Sequence, residues 1–113
     1  MEPGDQEYQR LFQIFQEECK EHIQRLNEGL LALERSPHEA PLDDILRSAH
    51  SLKGASRMMG LKTLETLGHY LETLLTQLSR GEKEAAPPVM EALYRGVDAV
   101  SHALKSLEQG KEP

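Results

Sequence analysis

The sequence predicts an all-α protein that folds as an antiparallel four-helix bundle, in a single domain over residues 1–113. Three observations predict this fold. Apolar residues recur at spacings of three and four in four separate segments, which is the pattern of amphipathic helices. All six prolines and half of the eight glycines fall between those segments or at their ends, and no segment alternates with the period of two that a strand requires. The chain is 113 residues long and 38% hydrophobic, which is enough for one packed core.

The predicted helices cover residues about 5–35, 41–59, 61–79 and 87–108. In the first helix, apolar residues recur from Tyr8 to Leu33, and Asp5 is the expected N-cap. In the second helix, Pro41 suits the first turn, where its missing N–H costs nothing, and Gly60 can end the helix in a left-handed conformation. The fold also leaves room for a further helix beyond the end of the chain.

The third helix has a stripe of leucines at alternating spacings of three and four, formed by Leu64, Leu67, Leu71, Leu74 and Leu78. We expect Gly81 to end this helix. The fourth helix carries apolar residues from Val89 to Leu107 and ends at Gly110. Because such helices cannot bury their apolar faces alone, the short connections between them favour a bundle of antiparallel neighbours.

The charge balance and the cysteine content narrow the classes of function. Lys and Arg total 13 against 19 Asp and Glu, a formal net charge of -6, which argues against nucleic acid as a partner. The single Cys19 cannot form an internal disulfide, so a reducing compartment is the simpler interpretation. No apolar run approaches the roughly 18 residues that span a bilayer. We therefore expect a cytoplasmic domain without membrane insertion.

The most informative polar residues lie beside the apolar face of the second helix. At ~100° per residue, His50 is roughly 130° from the centre of that face and should reach solvent. Lys53, Gly54 and Arg57 follow at three, four and seven residues, on the same side of the helix. An exposed glycine inside a helix costs about 1 kcal/mol relative to alanine. The space that glycine leaves would explain its presence despite this cost. Without a side chain at position 54, another macromolecule can approach His50 closely.

The third helix adds His69 and Glu72, which are three residues apart and avoid the leucine stripe. The short turn near Gly60 makes the second and third helices antiparallel neighbours. Glu72 lies about as far after that turn as His50 lies before it, so the two should be at the same height. We therefore expect one cluster that contains His50, Lys53, His69 and Glu72.

This cluster suits a nucleophilic histidine. A carboxylate that accepts the Nδ1 proton of His50 fixes the tautomer and leaves Nε2 electron-rich, and Glu72 could supply it. Lys53 would supply positive charge for an anionic reactant, so the cluster suits the receipt of a phosphoryl group. The order His-x-x-Glu and its outward position argue against a metal site of the di-iron type. The remaining histidines are interpreted as surface residues; they are His22, His38 and His102.

The segment AHSLKGASRMMGL resembles histidine-containing phosphotransfer (HPt) domains, and most closely the N-terminal phosphoacceptor domain of CheA-type chemotaxis histidine kinases. The similar features are the run from His50 to Gly54, the Gly60-Leu61 turn, and His69-x-x-Glu72 in a leucine-rich helix. The resemblance is most specific over residues 49–75. It implies that His50 is phosphorylated, that Glu72 and His69 belong to its hydrogen-bond network, and that Lys53 assists transfer.

The resemblance also implies a relay. A separate kinase catalytic domain, which holds ATP and Mg²⁺, phosphorylates His50, and the receiver domain of a response regulator then takes the group onto an aspartate. This chain has no Gly-rich nucleotide loop, so we expect no cofactor in this domain and a role as the phosphoacceptor part of a protein histidine kinase. We expect the isolated domain to be a monomer. Two alternatives remain, a stand-alone phosphotransfer protein and a non-catalytic bundle that docks a partner helix.

Overall fold

A computed structural model describes residues 6–38 and 41–110, and the predicted N-cap Asp5 lies outside these residues. It contains four helices, α1 (Gln6–Arg35), α2 (Leu42–Met58), α3 (Lys62–Ser79) and α4 (Pro87–Glu108). No strand occurs among the described residues. Each helix packs against two others: α1 contacts α2 and α4, and α3 contacts α2 and α4. The predicted fold class, an all-α four-helix bundle, is therefore confirmed.

The turn between α2 and α3 fixes how these two helices are paired. Gly60 has a φ of 73°, which is the left-handed conformation expected for it. Its N–H donates to the carbonyl oxygen of Arg57 at 3.1 Å, and the N–H of Leu61 donates to that of Ser56 at 2.9 Å. These two bonds form a Schellman motif, which satisfies carbonyl groups at the end of α2 and reverses the chain within a few residues.

The start of α2 differs slightly from the prediction for Pro41. This residue lies at the N-cap and not within the first turn, because its ψ of 65° is outside the helical range. Its carbonyl oxygen accepts hydrogen bonds from the N–H groups of Asp44 and Ile45, each at 3.1 Å. Pro41 therefore precedes α2 as its N-cap, one position before the first-turn position that was expected.

The buried face of α3 is shifted from the predicted leucine stripe. Leu64, Leu71 and Leu78 are buried as expected, but Gly68 and Leu75 are buried as well. The predicted members Leu67 and Leu74 are only half-buried and pack at the edge of the core. The reason is that α3 contacts two helices, so its buried face is wider than a single stripe and is centred toward Gly68 and Leu75.

Candidate functional site

His50 projects from the exposed face of α2. The opposite face of this helix is anchored in the core by Ile45, Ala49 and Leu52, none of which is more than 2% exposed. The His50 side chain is 67% exposed. Its Nδ1 atom is hydrogen-bonded to Oε2 of Glu72 on α3. The imidazole is therefore held at one nitrogen by the neighbouring helix while most of the ring faces solvent.

Glu72 joins His50 and Lys53 through its two carboxylate oxygens. Its Oε1 accepts a hydrogen bond from Nζ of Lys53 at 2.5 Å, while Oε2 is bonded to His50. Burial alone would raise the pKa of Glu72, but the hydrogen bonds and positive charges of Lys53 and His50 outweigh burial and lower the pKa below its ordinary value. Glu72 is thus a carboxylate at neutral pH, with one donor on each oxygen.

A charged carboxylate can only accept a hydrogen bond, so the proton between the two side chains belongs to Nδ1 of His50. The neutral imidazole then has its lone pair on Nε2. Among the described residues, Nε2 has no hydrogen-bond partner. The arrangement produces an exposed nitrogen nucleophile, and a carboxylate that can stabilise the positive charge that develops on the ring during attack.

The structure brings together three of the four residues that were expected to cluster. His69 is exposed on α3, and its ring makes no hydrogen bond or ion pair with any described residue. Its backbone carbonyl accepts a hydrogen bond from Oγ1 of Thr73 at 2.9 Å. His69 therefore lies one turn from Glu72 without joining the hydrogen bonds between Glu72 and the residues of α2.

Gly54 has no packing role inside the domain. Apart from its chain neighbours and the adjacent backbone of α2, a Cβ atom built at this position would meet no atom within 4 Å, and its φ is not in the left-handed region. Neither a close contact nor the backbone conformation therefore requires glycine there. Arg57, one turn further along the same side of α2, is exposed and forms no ion pair with a described residue. Gly54 thus adds no side chain to the surface between His50 and Arg57.

Gly68 is a residue of this site that the sequence analysis missed. It is buried on α3, and a Cβ atom there would lie 3.0 Å from both the Cα and the backbone N of Lys53. The backbones of α2 and α3 thus touch at the level of the cluster. Its position in the sequence could have predicted this burial. Gly68 follows Leu64 by four residues and precedes Leu71 by three, a spacing that places it on the buried face of the helix.

Within residues 6–38 and 41–110, no group of three or more His, Cys, Asp or Glu side chains is placed to hold a metal ion. None of the four helices has the combination of length and apolar character that crossing a bilayer requires, as judged on the same residues.

Comparison with known proteins identifies the family. The family model described as Hpt domain matches residues 10–110. The chemotaxis protein CheA of Bacillus subtilis (strain 168) is 38% identical over 98 residues, which cover 86% of this chain and 15% of that protein. The CheA of Halobacterium salinarum is 34% identical over 97 residues, 85% of this chain and 14% of that protein. The gliding motility regulatory protein of Myxococcus xanthus is 32% identical over 91 residues, 80% of this chain and 12% of that protein.

The chain therefore spans only about a seventh of the length of the CheA proteins it matches, whereas the family model covers nearly all of it. The matched region includes all of α2 and α3, and with them the residues that join His50 to Glu72. On this match and on its four-helix fold, the chain belongs to the Hpt domain family.

Proposed function

We propose that this domain carries a phosphoryl group on Nε2 of His50 in chemotaxis-type two-component signalling. The group would come from ATP through a separate kinase catalytic domain and pass to an aspartate of a receiver domain. The observation that carries the proposal is the bond between Nδ1 of His50 and Glu72, which leaves the other ring nitrogen exposed. The names of the relatives, chemotaxis protein CheA among them, support the same assignment.

In the first step, the lone pair of Nε2 attacks the γ-phosphorus of ATP. The N–P bond forms, the bond from phosphorus to the β,γ-bridging oxygen breaks, and ADP leaves. The imidazole becomes positively charged as the N–P bond forms, because Nδ1 still holds its proton. The carboxylate of Glu72 faces that proton and stabilises the charge. ATP and Mg²⁺ would be held by the catalytic domain, which implies a cytoplasmic setting.

The approach of the phosphoryl group and its donor domain would be assisted by three residues near His50, namely Lys53, Arg57 and Gly54. Phosphoryl transfer depends mainly on positioning and on positive charge near the transferred oxygens. Lys53 and Arg57 lie one and two turns from His50 and supply that charge. Gly54 leaves space for the partner domain, since nothing fills the region where its Cβ would be. His69 has no bond to the cluster, so we assign it a secondary role at the rim, where it could contact a partner.

In the second step, a carboxylate oxygen of the receiver's aspartate attacks the phosphorus. The N–P bond breaks, its electron pair returns to Nε2, and an acyl phosphate forms. His50 is then neutral again, with its proton still on Nδ1 and bonded to Glu72. The domain is thereby ready for another cycle, and it acts as a carrier that neither binds nor cleaves ATP itself.

A kinase assay tests this function. The domain is incubated with the catalytic domain of a CheA protein and radiolabelled ATP, and a receiver domain is then added. We expect acid-labile label on the wild type, its loss in His50→Gln, and its transfer to the receiver. The matched control is His102→Gln, which changes an exposed histidine of α4 and should keep the label. Undiminished label on His50→Gln would refute the proposal, and a bundle that only docks a partner would acquire no label.

A further inference from the structure

Among the glycines in the described part of the chain, Gly68 makes the closest approach to the backbone of another helix, and it does so at the candidate site. A Cβ atom at Gly68 would lie 3.0 Å from the Cα and the N of Lys53, and 3.1 Å from its Cβ. Carbon atoms in contact are normally about 3.5–4.0 Å apart. Any residue other than glycine at position 68 would therefore push α2 and α3 apart by a few tenths of an ångström at this level.

We propose that Gly68 is a positioning residue: the backbone contact between Gly68 and Lys53 sets the helix separation at which Glu72 reaches both His50 and Lys53. The consequence for catalysis rests on the proposed function, because it assumes that the tautomer of His50 governs phosphorylation. The geometric part does not depend on it. Gly68 itself touches neither the imidazole nor any reactant, so it acts only through the placement of Glu72.

The spacing of the residues explains why this contact controls the cluster. Glu72 follows Gly68 by one turn on α3, and His50 precedes Lys53 by one turn on α2. Because the helices are antiparallel, the backbone contact lies directly beside the two hydrogen bonds of Glu72. The bond between Lys53 and Glu72 is 2.5 Å long, so a shift of a few tenths of an ångström leaves it within hydrogen-bond distance. The shift acts instead through the alignment of donor and acceptor, on which the strength of a hydrogen bond also depends. A separation imposed at Gly68 is therefore transmitted to both bonds at once.

Gly96 on α4 provides a matched control. It is also buried in a helix interface, and a Cβ there would lie 2.8 Å from Cδ2 of Leu71. The atom that it would meet is the end of a side chain, which can move by rotation, whereas the backbone of Lys53 cannot. Gly96→Ala should thus disturb packing without changing the separation of α2 and α3.

Nitrogen NMR of the imidazoles in the whole domain is the direct test. In the wild type we expect a nuclear Overhauser effect between the Hα protons of Gly68 and Lys53, and a His50 ring protonated mainly at Nδ1. In Gly68→Ala the tautomer population of His50 should shift toward that of a free imidazole. Gly96→Ala should leave it unchanged. Because alanine favours helix over glycine, part of the packing cost of Gly68→Ala is offset and the variant should fold.

Phosphorylation rates complete the test. Gly68→Ala should slow phosphorylation of His50 by about two- to tenfold, the equivalent of weakening one hydrogen bond. In the double variant Gly68→Ala/Glu72→Ala, the glycine change should slow it no further than Glu72→Ala alone. Four results would each overturn the proposal: no Overhauser effect in the wild type, an unchanged tautomer in folded Gly68→Ala, an equal shift in Gly96→Ala, or additive rate losses. If phosphorylation instead proves independent of His50, the proposed function fails while the tautomer shift still tests the positioning.

Discussion

His50 and Glu72 are 22 residues apart in the sequence, yet Nδ1 of the one is hydrogen-bonded to Oε2 of the other across two helices. The Schellman turn at Gly60 creates this relationship, because it makes α2 and α3 antiparallel neighbours of similar length. The proposed nucleophile and the group proposed to orient it therefore belong to different helices. Their geometry depends on helix packing and not only on local sequence.

Removal of the Glu72 carboxylate should slow phosphorylation without unfolding the domain. In Glu72→Ala we expect a rate about ten- to a hundredfold lower, because a hydrogen bond to a charged group is worth about 1.5–3 kcal/mol. The loss is partial since the imidazole remains and a water molecule can accept the hydrogen bond from Nδ1–H. The rate is measured with a fixed concentration of catalytic domain.

The control for this variant is Glu65→Ala, which removes a carboxylate from the same helix away from His50. Its rate should match the wild type. Equal losses in both variants would mean that the net charge of α3 matters, and not the bond to His50.

The acid stability of the domain should depend on Lys53 and Glu72. The pKa of Glu72 is lowered in the folded state, so its contribution to stability is complete above the ordinary value of 4.5 and is lost as the pH falls through the folded pKa. In Lys53→Met, burial of Glu72 is less well opposed and its pKa should rise. Carbon NMR of the Glu72 carboxyl group measures this rise.

Arg57→Met is the control for this titration, because Arg57 lies on the same side of α2 and forms no bond with Glu72. It should leave the pKa of Glu72 near the wild-type value. Denaturation with urea adds a second readout: below pH 4.5, the stability of the wild type should fall more steeply than that of Glu72→Gln. Parallel curves would show that Glu72 is not preferentially charged in the folded state.

Gly54 and Gly60 should respond in opposite ways to substitution. Gly54→Ala should raise stability by about 1 kcal/mol, since nothing obstructs its Cβ and alanine favours the helix. Gly54→Leu should remain folded but slow transfer with the partner domains. Gly60→Ala should cost about 1–2 kcal/mol because its φ is 73°, and it should leave transfer unchanged. Wild-type transfer by Gly54→Leu would contradict the proposed clearance.

Truncations in α3 should distinguish the observed buried face from the predicted leucine stripe. Leu75 is fully buried, so Leu75→Ala should cost about 2–5 kcal/mol. Leu74 is only half-buried, and Leu74→Ala should cost about 1 kcal/mol. Thermal unfolding of both variants gives the comparison. A larger loss for Leu74→Ala would mean that α3 is rotated relative to the structure.

The sequence was sufficient to predict the fold class and the pairing of His50 with Glu72. The apolar spacing indicated four helices, and the short turn at Gly60 placed both residues at the same height. It was not sufficient to predict the buried face of α3, because two leucine stripes share Leu64, Leu71 and Leu78, and only packing against α2 and α4 selects between them.

Gly68 was missed for a related reason. A glycine on a helix has no side chain to mark a role, and its contact with Lys53 exists only once two helices are packed. For His69, in contrast, the sequence pattern predicted a contact that the described part of the structure does not contain. Its spacing from Glu72 is the one expected for a shared face, but a shared face does not bring its ring within hydrogen-bond distance of the cluster.

The most direct test of the central claim is the identification of the phosphorylated atom. Nitrogen-labelled domain is phosphorylated by the catalytic domain, and its imidazole resonances are examined for coupling to phosphorus. We expect the coupling on Nε2 of His50 alone, with Nδ1 still protonated. Coupling on Nδ1, or on the ring of another histidine, would contradict the assignment of Nε2 as the nucleophile and of Glu72 as the group that orients it.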